Sequence, residues 1–310
     1  MKSIFKITFF LCLFIINISC NEEDKKNNKN NDTITNKFNE EEFFARLDQK
    51  KVAQLNEVIH GFASPVEIAA TVKSQHIEFS KNYLISTSVT TNYETQIKKA
   101  LAFGLFSADL GYLTIYQKTG QMVDYLLTIN NLANDLRVSQ FYDFQVLKKL
   151  VTSSDNMDSL LFLTVSSFHE IDAYFTVSNR SYLTVAMITG VWLESLYLLT
   201  QVSKDNATKT KNFFDKIGSQ KELLIRLYEI LKVYTGHPQF DFLIKEFEKL
   251  VDVYKDVKIT IIQKQGRVDF IDGNYIIYPS EEANVEMTEE TLNKIVQTAA
   301  EIRQNIINIK

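Results

Sequence analysis

Two carboxylates are placed where they could do chemistry, because each lies in an apolar segment that contains glycine. Asp109 follows Gly104, and Glu194 follows Gly190 and Trp192. Glycine inside a helix costs about 1 kcal/mol relative to alanine, so its presence predicts close approach of another helix. If the two segments pack together, the carboxylates could meet and perform acid–base or metal chemistry.

A structural role for these carboxylates is the favoured alternative. A buried carboxylate needs a cation or several hydrogen-bond donors, and Lys98, Arg180 and Tyr112 are the partners that we expect. We therefore treat three residues only as a candidate buried polar site or pocket: Asp109, Glu194 and Trp192.

The histidines do not indicate a metal site. No two of them have the i, i+4 spacing of a helical metal site: His60, His76, His169 and His237. The sequence also has no G-x-S-x-G elbow, phosphate-binding loop or dinucleotide fingerprint. We assign no catalytic, cofactor-binding or metal-binding residue, and no cofactor.

The sequence around Cys20 predicts a covalent reaction at this residue. Two lysines and the apolar residues 8–16 precede Ser19 and Cys20, an order that is typical of a secretory signal. The apolar run is too short for a membrane span of roughly 20 residues. Ser19-Cys20 resembles the lipobox of bacterial lipoproteins, in which the cysteine is acylated, although Asn17 stands where that family usually has leucine. An ordinary secretory signal that ends near a cysteine is the alternative.

Cysteine usage favours acylation. Residues 1–19 are the predicted signal peptide and contain Cys12, so Cys20 would be the only cysteine of the mature chain and could form no internal disulfide. Its acyl chains would hold the protein on a membrane, each buried methylene adding about 0.8 kcal/mol of affinity. The rest of residues 20–39 is rich in asparagine and charge, which predicts a disordered tether.

The tether also carries two short patterns that bear on location. The acidic residues 22–24 resemble the surface-export signal of Bacteroidetes lipoproteins, and residues 32–34 resemble the O-glycosylation motif of that phylum. The first resemblance implies anchorage to the outer membrane, with the domain outside the cell; a domain on the periplasmic face is the alternative. A solvated linker without either function explains the same residues.

Composition argues against two classes of partner. Removing residues 1–19 takes two lysines and no acids from a formal charge of −4, which leaves −6 and no basic cluster for nucleic acid. Glycan capture usually needs several exposed aromatic platforms, and the chain has one tryptophan, Trp192.

Apolar residues recur every three or four positions through residues 40–256, which predicts a mainly α domain. Short connections predict an antiparallel multi-helix bundle or an irregular array of helix pairs. The predicted helices are 41–59, 64–74 with a shorter piece towards 84, 93–118, 121–136, 141–151, 155–177, 179 or 181 to 202, 209–217, 220–234, 239–254 and 288–306.

The pattern changes in residues 257–310. Residues 257–262, 268–271 and 274–278 are rich in β-branched side chains, and Asp272-Gly273 is a strong hairpin signal. We expect a small antiparallel β-meander before the C-terminal helix, both packed on the same domain.

Three segments resemble an uncharacterised family of helical Bacteroidetes lipoproteins: residues 102–112, 158–161 and 189–197, with a similar E-I-R at residues 301–303. The resemblance spans about residues 60–205 and implies the anchor and the helical fold, with no catalytic residue. The sequence therefore predicts a lipid-anchored cell-envelope protein that is a non-enzymatic binding or scaffold module, with another envelope protein as its partner. The competing hypothesis is an envelope enzyme or small-ligand sensor with a buried carboxylate pocket.

Overall fold

The computed structural model of the chain describes residues 38–47, 78–141, 143–151, 157–205, 211–271, 274–278 and 281–308. The predicted signal peptide, Cys20, nearly all of the tether and the predicted helix at 64–74 lie outside the described residues. From Glu40 onward the chain forms a single unit.

The prediction of a mainly α fold is confirmed. The described helices are α1 Glu40–Ala45, α2 Gln96–Ile115, α3 Thr119–Asp135, α4 Phe144–Val151, α5 Met157–Val177, α6 Ser181–Asp205, α7 Lys211–Lys232, α8 Pro238–Tyr254 and α9 Glu289–Ile307. Short 3-10 turns occur at Lys81–Tyr83, Thr87–Asn92 and Ser139–Phe141. Of the helix predicted at 41–59, the structure describes α1 and the two residues that follow it.

Helices α2 and α6 form the centre of the core. Nearly every side chain of α2 is buried, from Ile97 to Thr114. Residues Ser181–Val202 of α6 have the length and composition of a membrane span, with a mean hydropathy of 1.5. However, 94% of that apolar window is buried inside the protein. Burial in the core is therefore sufficient to explain the apolar character of α6.

Helix α7 corrects one prediction. The sequence predicts two helices, 209–217 and 220–234, on either side of Gly218, but the structure has one helix from Lys211 to Lys232. A Cβ at Gly218 would lie 2.2 Å from Val285 Cγ1, so the glycine lets a neighbouring strand pack directly on α7. The glycine serves packing, and the helix continues through it.

Four short strands precede α9: β1 Lys258–Gln263, β2 Arg267–Ile271, β3 Asn274–Tyr278 and β4 Glu281–Glu286. Small antiparallel β structure before the C-terminal helix is thus present as predicted. It consists of two two-stranded sheets, β1 with β4 and β2 with β3, instead of one meander of serially paired strands. The strand β4 was not among the predicted strands, because its acid-rich sequence contains only one β-branched residue, Val285. The predicted Asp272-Gly273 turn lies outside the described residues.

Candidate functional site

The two glycine-containing segments meet where α2 crosses α6. A Cβ at Gly104 would lie 1.9 Å from the carbonyl oxygen of Met187, and a Cβ at Gly190 would lie 2.1 Å from that of Leu101. Only glycine permits this approach at either position. The close helix approach predicted from Gly104 and Gly190 is therefore present, and it is reciprocal.

This crossing brings Asp109 of α2 near Glu194 of α6. Both side chains are fully buried, with 0% exposure. The two carboxyl groups are close enough for the charge of Glu194 to raise the pKa of Asp109. The sequence raised this meeting as a possibility, and the structure shows it.

Arg303 of α9 neutralises Glu194. Its Nε donates to Glu194 Oε2 and its Nη2 to Oε1, each at 2.7 Å, in the bidentate geometry that fits guanidinium to carboxylate. Nη2 also donates to the Tyr83 carbonyl oxygen at 2.8 Å. The guanidinium carbon lies 3.9 Å from the centre of the Tyr197 ring, a cation–π contact. The charge of Arg303 is therefore paired with that of Glu194.

The predicted partners of the carboxylates were wrong. Arg180 instead donates to the Leu136 carbonyl oxygen at 3.1 Å and to Gln96 Oε1 at 3.0 Å. The phenol of Tyr112 accepts a hydrogen bond from the Ser80 amide at 3.1 Å. Arg303 had a signal of its own in the sequence, because it lies on the same face of α9 as the apolar Ala299 and Ile306.

Asp109 is bonded on one side only. Its Oδ2 accepts a hydrogen bond from the Ile85 amide at 2.9 Å, and the Ile85 carbonyl accepts one from the Tyr125 hydroxyl at 2.5 Å. Its Oδ1 is buried and has no ordinary donor among the described residues. Burial, and then the charge of Glu194, raise the pKa of Asp109 well above its usual value. A proton on Oδ1 would be donated to Glu194 and would satisfy both oxygens.

The surrounding phenols add no charge. Burial and the nearby Glu194 raise the pKa of Tyr93 to about 12, and burial also raises the pKa of Tyr125. With Asp109 neutral, the charges of Glu194 and Arg303 cancel. The cluster is thus a closed, electrically balanced unit.

Trp192, the third residue of the predicted site, lies in the core beside this cluster. It is 4% exposed and its ring centre is 5.8 Å from that of Phe247. Its indole Nε1 is buried and has no acceptor among the described residues. The structure places Trp192 as a packing residue between α6 and α8, where no sugar could stack on it.

The geometry does not give a reactant access to these groups. Asp109 and Glu194 have no exposed side-chain surface, and Arg303 is 8% exposed. Their bonds tie α2, α6 and α9 to the segment from Tyr83 to Ile85. With these groups buried, the arrangement holds three helices and one loop segment of the chain together.

The described residues contain no cluster of three or more metal-ligating side chains. Comparison with protein-family models, with curated proteins and with solved structures finds no match to the chain.

A surface groove of about 700 Å³ lies between the start of α7, the strands β1 and β4, and the start of α9. Two lysines and three acids are among the residues that line it: Lys211, Lys258, Asp215, Asp256 and Glu286. Because neither sign of charge dominates, the groove favours neither an anionic nor a cationic ligand.

Proposed function

We propose that this chain is a lipid-anchored protein of the cell envelope whose helical domain is a non-enzymatic binding or scaffold module. Cys20 carries the lipid, and the outer membrane is the proposed site of anchorage, with the domain on the cell surface rather than in the periplasm. The partner is another envelope protein.

The observation that carries the non-enzymatic part is the complete burial of Asp109 and Glu194. These are the carboxylates that sequence and structure bring together, and they are used to hold helices to one another. A catalytic acid or base must come within hydrogen-bond reach of a substrate, about 2.6–3.2 Å between heavy atoms. Both carboxylates are sealed from any such approach.

The anchor is supported by sequence alone. The basic start, the short apolar run and Ser19 lead directly to Cys20, and a charged tether follows. An uncapped single thiol would be an exception in an oxidising compartment, and acylation caps it. These residues lie outside the described part of the structure.

One observation favours the second candidate, an envelope enzyme or small-ligand sensor. Burial raises the pKa of Asp109, and a carboxylic acid kept neutral can act as a proton donor. Such a role would require the helices around Asp109 to open. A sensor of this kind would therefore lose its response when Asp109 is replaced by a side chain that cannot ionise.

Crosslinking of intact cells distinguishes the two candidates. The tagged wild-type chain and the Asp109→Asn variant are purified after crosslinking, and their crosslinked species are compared. The module proposal predicts the same envelope partner with both chains, because asparagine keeps the shape of the buried acid. Loss of that partner from a normally folded Asp109→Asn chain would favour the sensor. Absence of any specific crosslinked partner from the wild type would contradict the module.

A further inference from the structure

Helix α1 is attached to the domain mainly through two phenylalanines. It has six residues and none of them is buried. A helix this short is not stable in water by itself, since isolated helices below about 12–15 residues are marginal. The Phe44 ring stacks on Tyr182 with centres 3.9 Å apart, and the Phe43 ring meets His237 edge-on at 5.4 Å. The helical form of α1 therefore depends on this aromatic contact.

His237 is the buried member of the contact and also caps α8. Its side chain is 3% exposed, and its Nδ1 accepts a hydrogen bond from the Gln239 amide at 3.2 Å. An accepting nitrogen carries no proton, so the ring is the neutral tautomer with hydrogen on Nε2. Nε2 lies 3.4 Å from Glu40 Oε1 of α1 and can donate to it. One ring thus holds the start of α8 with one nitrogen and the start of α1 with the other.

A second proton on His237 would break this arrangement. It would have to occupy Nδ1, which would remove the acceptor of the Gln239 amide. It would also place a positive charge at the N-terminus of α8, where the helix dipole already disfavours cations. The ring lies against the aromatic rings of Phe43, Phe44 and Phe240, which offer no replacement for lost water.

The charges that face the ring oppose this effect only in part. Glu40 from α1 and Asp241 from α8 favour a protonated ring, whereas burial disfavours it most strongly and lowers the pKa of His237. The neighbouring phenols, Tyr182 from α6 and Tyr234 after α7, have pKa values raised by burial and add no charge. The neutral ring is therefore the form that fits the attached α1.

We propose that α1 is a pH-sensitive strap, which docks on the aromatic surface of Tyr182, Tyr234 and His237 while His237 is neutral and detaches on acidification. Detachment exposes aromatic rings that α1 now covers. Because this device uses only the contacts of α1 with Tyr182, Tyr234 and His237, it does not depend on acylation at Cys20.

Proton linkage determines whether acid strengthens or weakens the attachment of α1. His237 has a pKa below 6.5 with α1 attached, so the detached state binds the proton more readily. Attachment is strongest above the pKa of the detached state and weakens as the pH falls through the lower pKa of the attached state. Between those two values, the ratio of detached to attached α1 rises about tenfold for each pH unit lost.

Hydrogen–deuterium exchange of the full-length chain in detergent tests the strap. Peptides covering residues 38–47 are followed at neutral and mildly acidic pH, with exchange times scaled for the intrinsic pH dependence of amides. The strap predicts severalfold faster scaled exchange in this segment at acidic pH, while peptides of α6 remain protected. Equal protection of residues 38–47 at both pH values would overturn the proposal.

Two substitutions assign the effect to His237. His237→Asn replaces the imidazole ring by a side-chain amide. The amide can also cap a helix but does not titrate, so the pH dependence of exchange in residues 38–47 should disappear. The exposed His169 supplies the matched control, because His169→Asn should leave this pH dependence unchanged. A pH response that survives in folded His237→Asn would overturn the proposal.

A third variant remains informative if His237→Asn does not fold. Glu40→Gln removes the carboxylate that favours the protonated ring while α1 is attached, so α1 should detach more readily on acidification and the midpoint of the transition should move to higher pH. A midpoint that stays in place or moves to lower pH would contradict the role of this contact.

Discussion

Arg303 donates two hydrogen bonds of 2.7 Å each to Glu194, and both side chains are buried. The two residues are 109 positions apart in sequence, so their pairing fixes the C-terminal helix α9 to the central helix α6. Asp109 completes the cluster from α2, the helix that crosses α6 at its glycines. These three buried polar side chains therefore serve the assembly of the core.

Removing the cation should destabilise the domain strongly. Arg303→Met leaves Glu194 buried without its partner, and breaking a buried pair in this way costs about 3–5 kcal/mol. Urea unfolding gives the loss in the free energy of unfolding. The double variant Glu194→Leu/Arg303→Met removes both charges and should be much less destabilised than the sum of the single variants. Strictly additive single and double effects would contradict the pairing.

Asp109 should make stability depend on pH in a defined direction. Its pKa is raised in the folded state, so its contribution is fully present below the unfolded value of 3.8 and is lost as the pH rises through the folded value. The free energy of unfolding of the wild type, relative to Asp109→Asn, should therefore fall with rising pH, by up to about 1.4 kcal/mol per pH unit.

Urea unfolding between about pH 5 and about pH 8 checks this slope. Asp135→Asn is the matched control, because Asp135 is half exposed and pairs with Lys99 at the surface. The free energy of unfolding of Asp135→Asn should change with pH as that of the wild type does. A wild type that becomes more stable with pH relative to Asp109→Asn would show that Asp109 is ionised in the fold.

The helix crossing should not tolerate a methyl group. Gly104→Ala places a Cβ against the backbone oxygen of Met187, which cannot move without shifting α6, and we expect a loss of about 3 kcal/mol. Gly120→Ala is the control, since no atom lies within 4 Å of its Cβ position. That variant should be neutral or gain up to about 1 kcal/mol from helix propensity. Thermal unfolding that ranks the two variants equally would contradict the close contact.

The packing of β4 on α7 predicts that a substitution at Val285 offsets part of the destabilisation caused by a substitution at Gly218. Gly218→Ala brings a Cβ onto Val285 and should cost about 1–2 kcal/mol. Val285→Ala removes the methyl groups that it meets. In the double variant the two changes should be coupled favourably by about 1 kcal/mol, measured as a double-mutant cycle of unfolding free energies. Simple addition of the two losses would count against this contact.

Local patterns in the sequence predicted the helices and the close approach at Gly104 and Gly190, because periodicity and glycine placement are properties of neighbouring residues. They did not identify Arg303 as the partner of Glu194, since that choice depends on how distant helices pack. Lys98, Arg180 and Tyr112 were nearer in sequence, but among the described residues no hydrogen bond joins them to either carboxylate, and Tyr112 and Arg180 bond to other groups.

Gly218 and β4 show a second respect in which local sequence patterns did not predict the structure. The glycine suggested a helix end, but its purpose depends on Val285, a residue of a strand that the sequence did not reveal. The strap contact between Glu40 and His237 spans 197 positions and has no local signature either. Residue types and spacing thus predicted the elements, while the contacts that give each polar residue its role required the fold.

Metabolic labelling with an alkyne-tagged palmitate tests lipid anchoring at Cys20 most directly. Wild-type protein should carry the label and sediment with membranes, whereas Cys20→Ala should be unlabelled and lose its membrane attachment. Cys12→Ala, which changes the other cysteine of the sequence, should behave as the wild type. A Cys20→Ala chain that remains labelled and membrane-bound would contradict the lipid anchor.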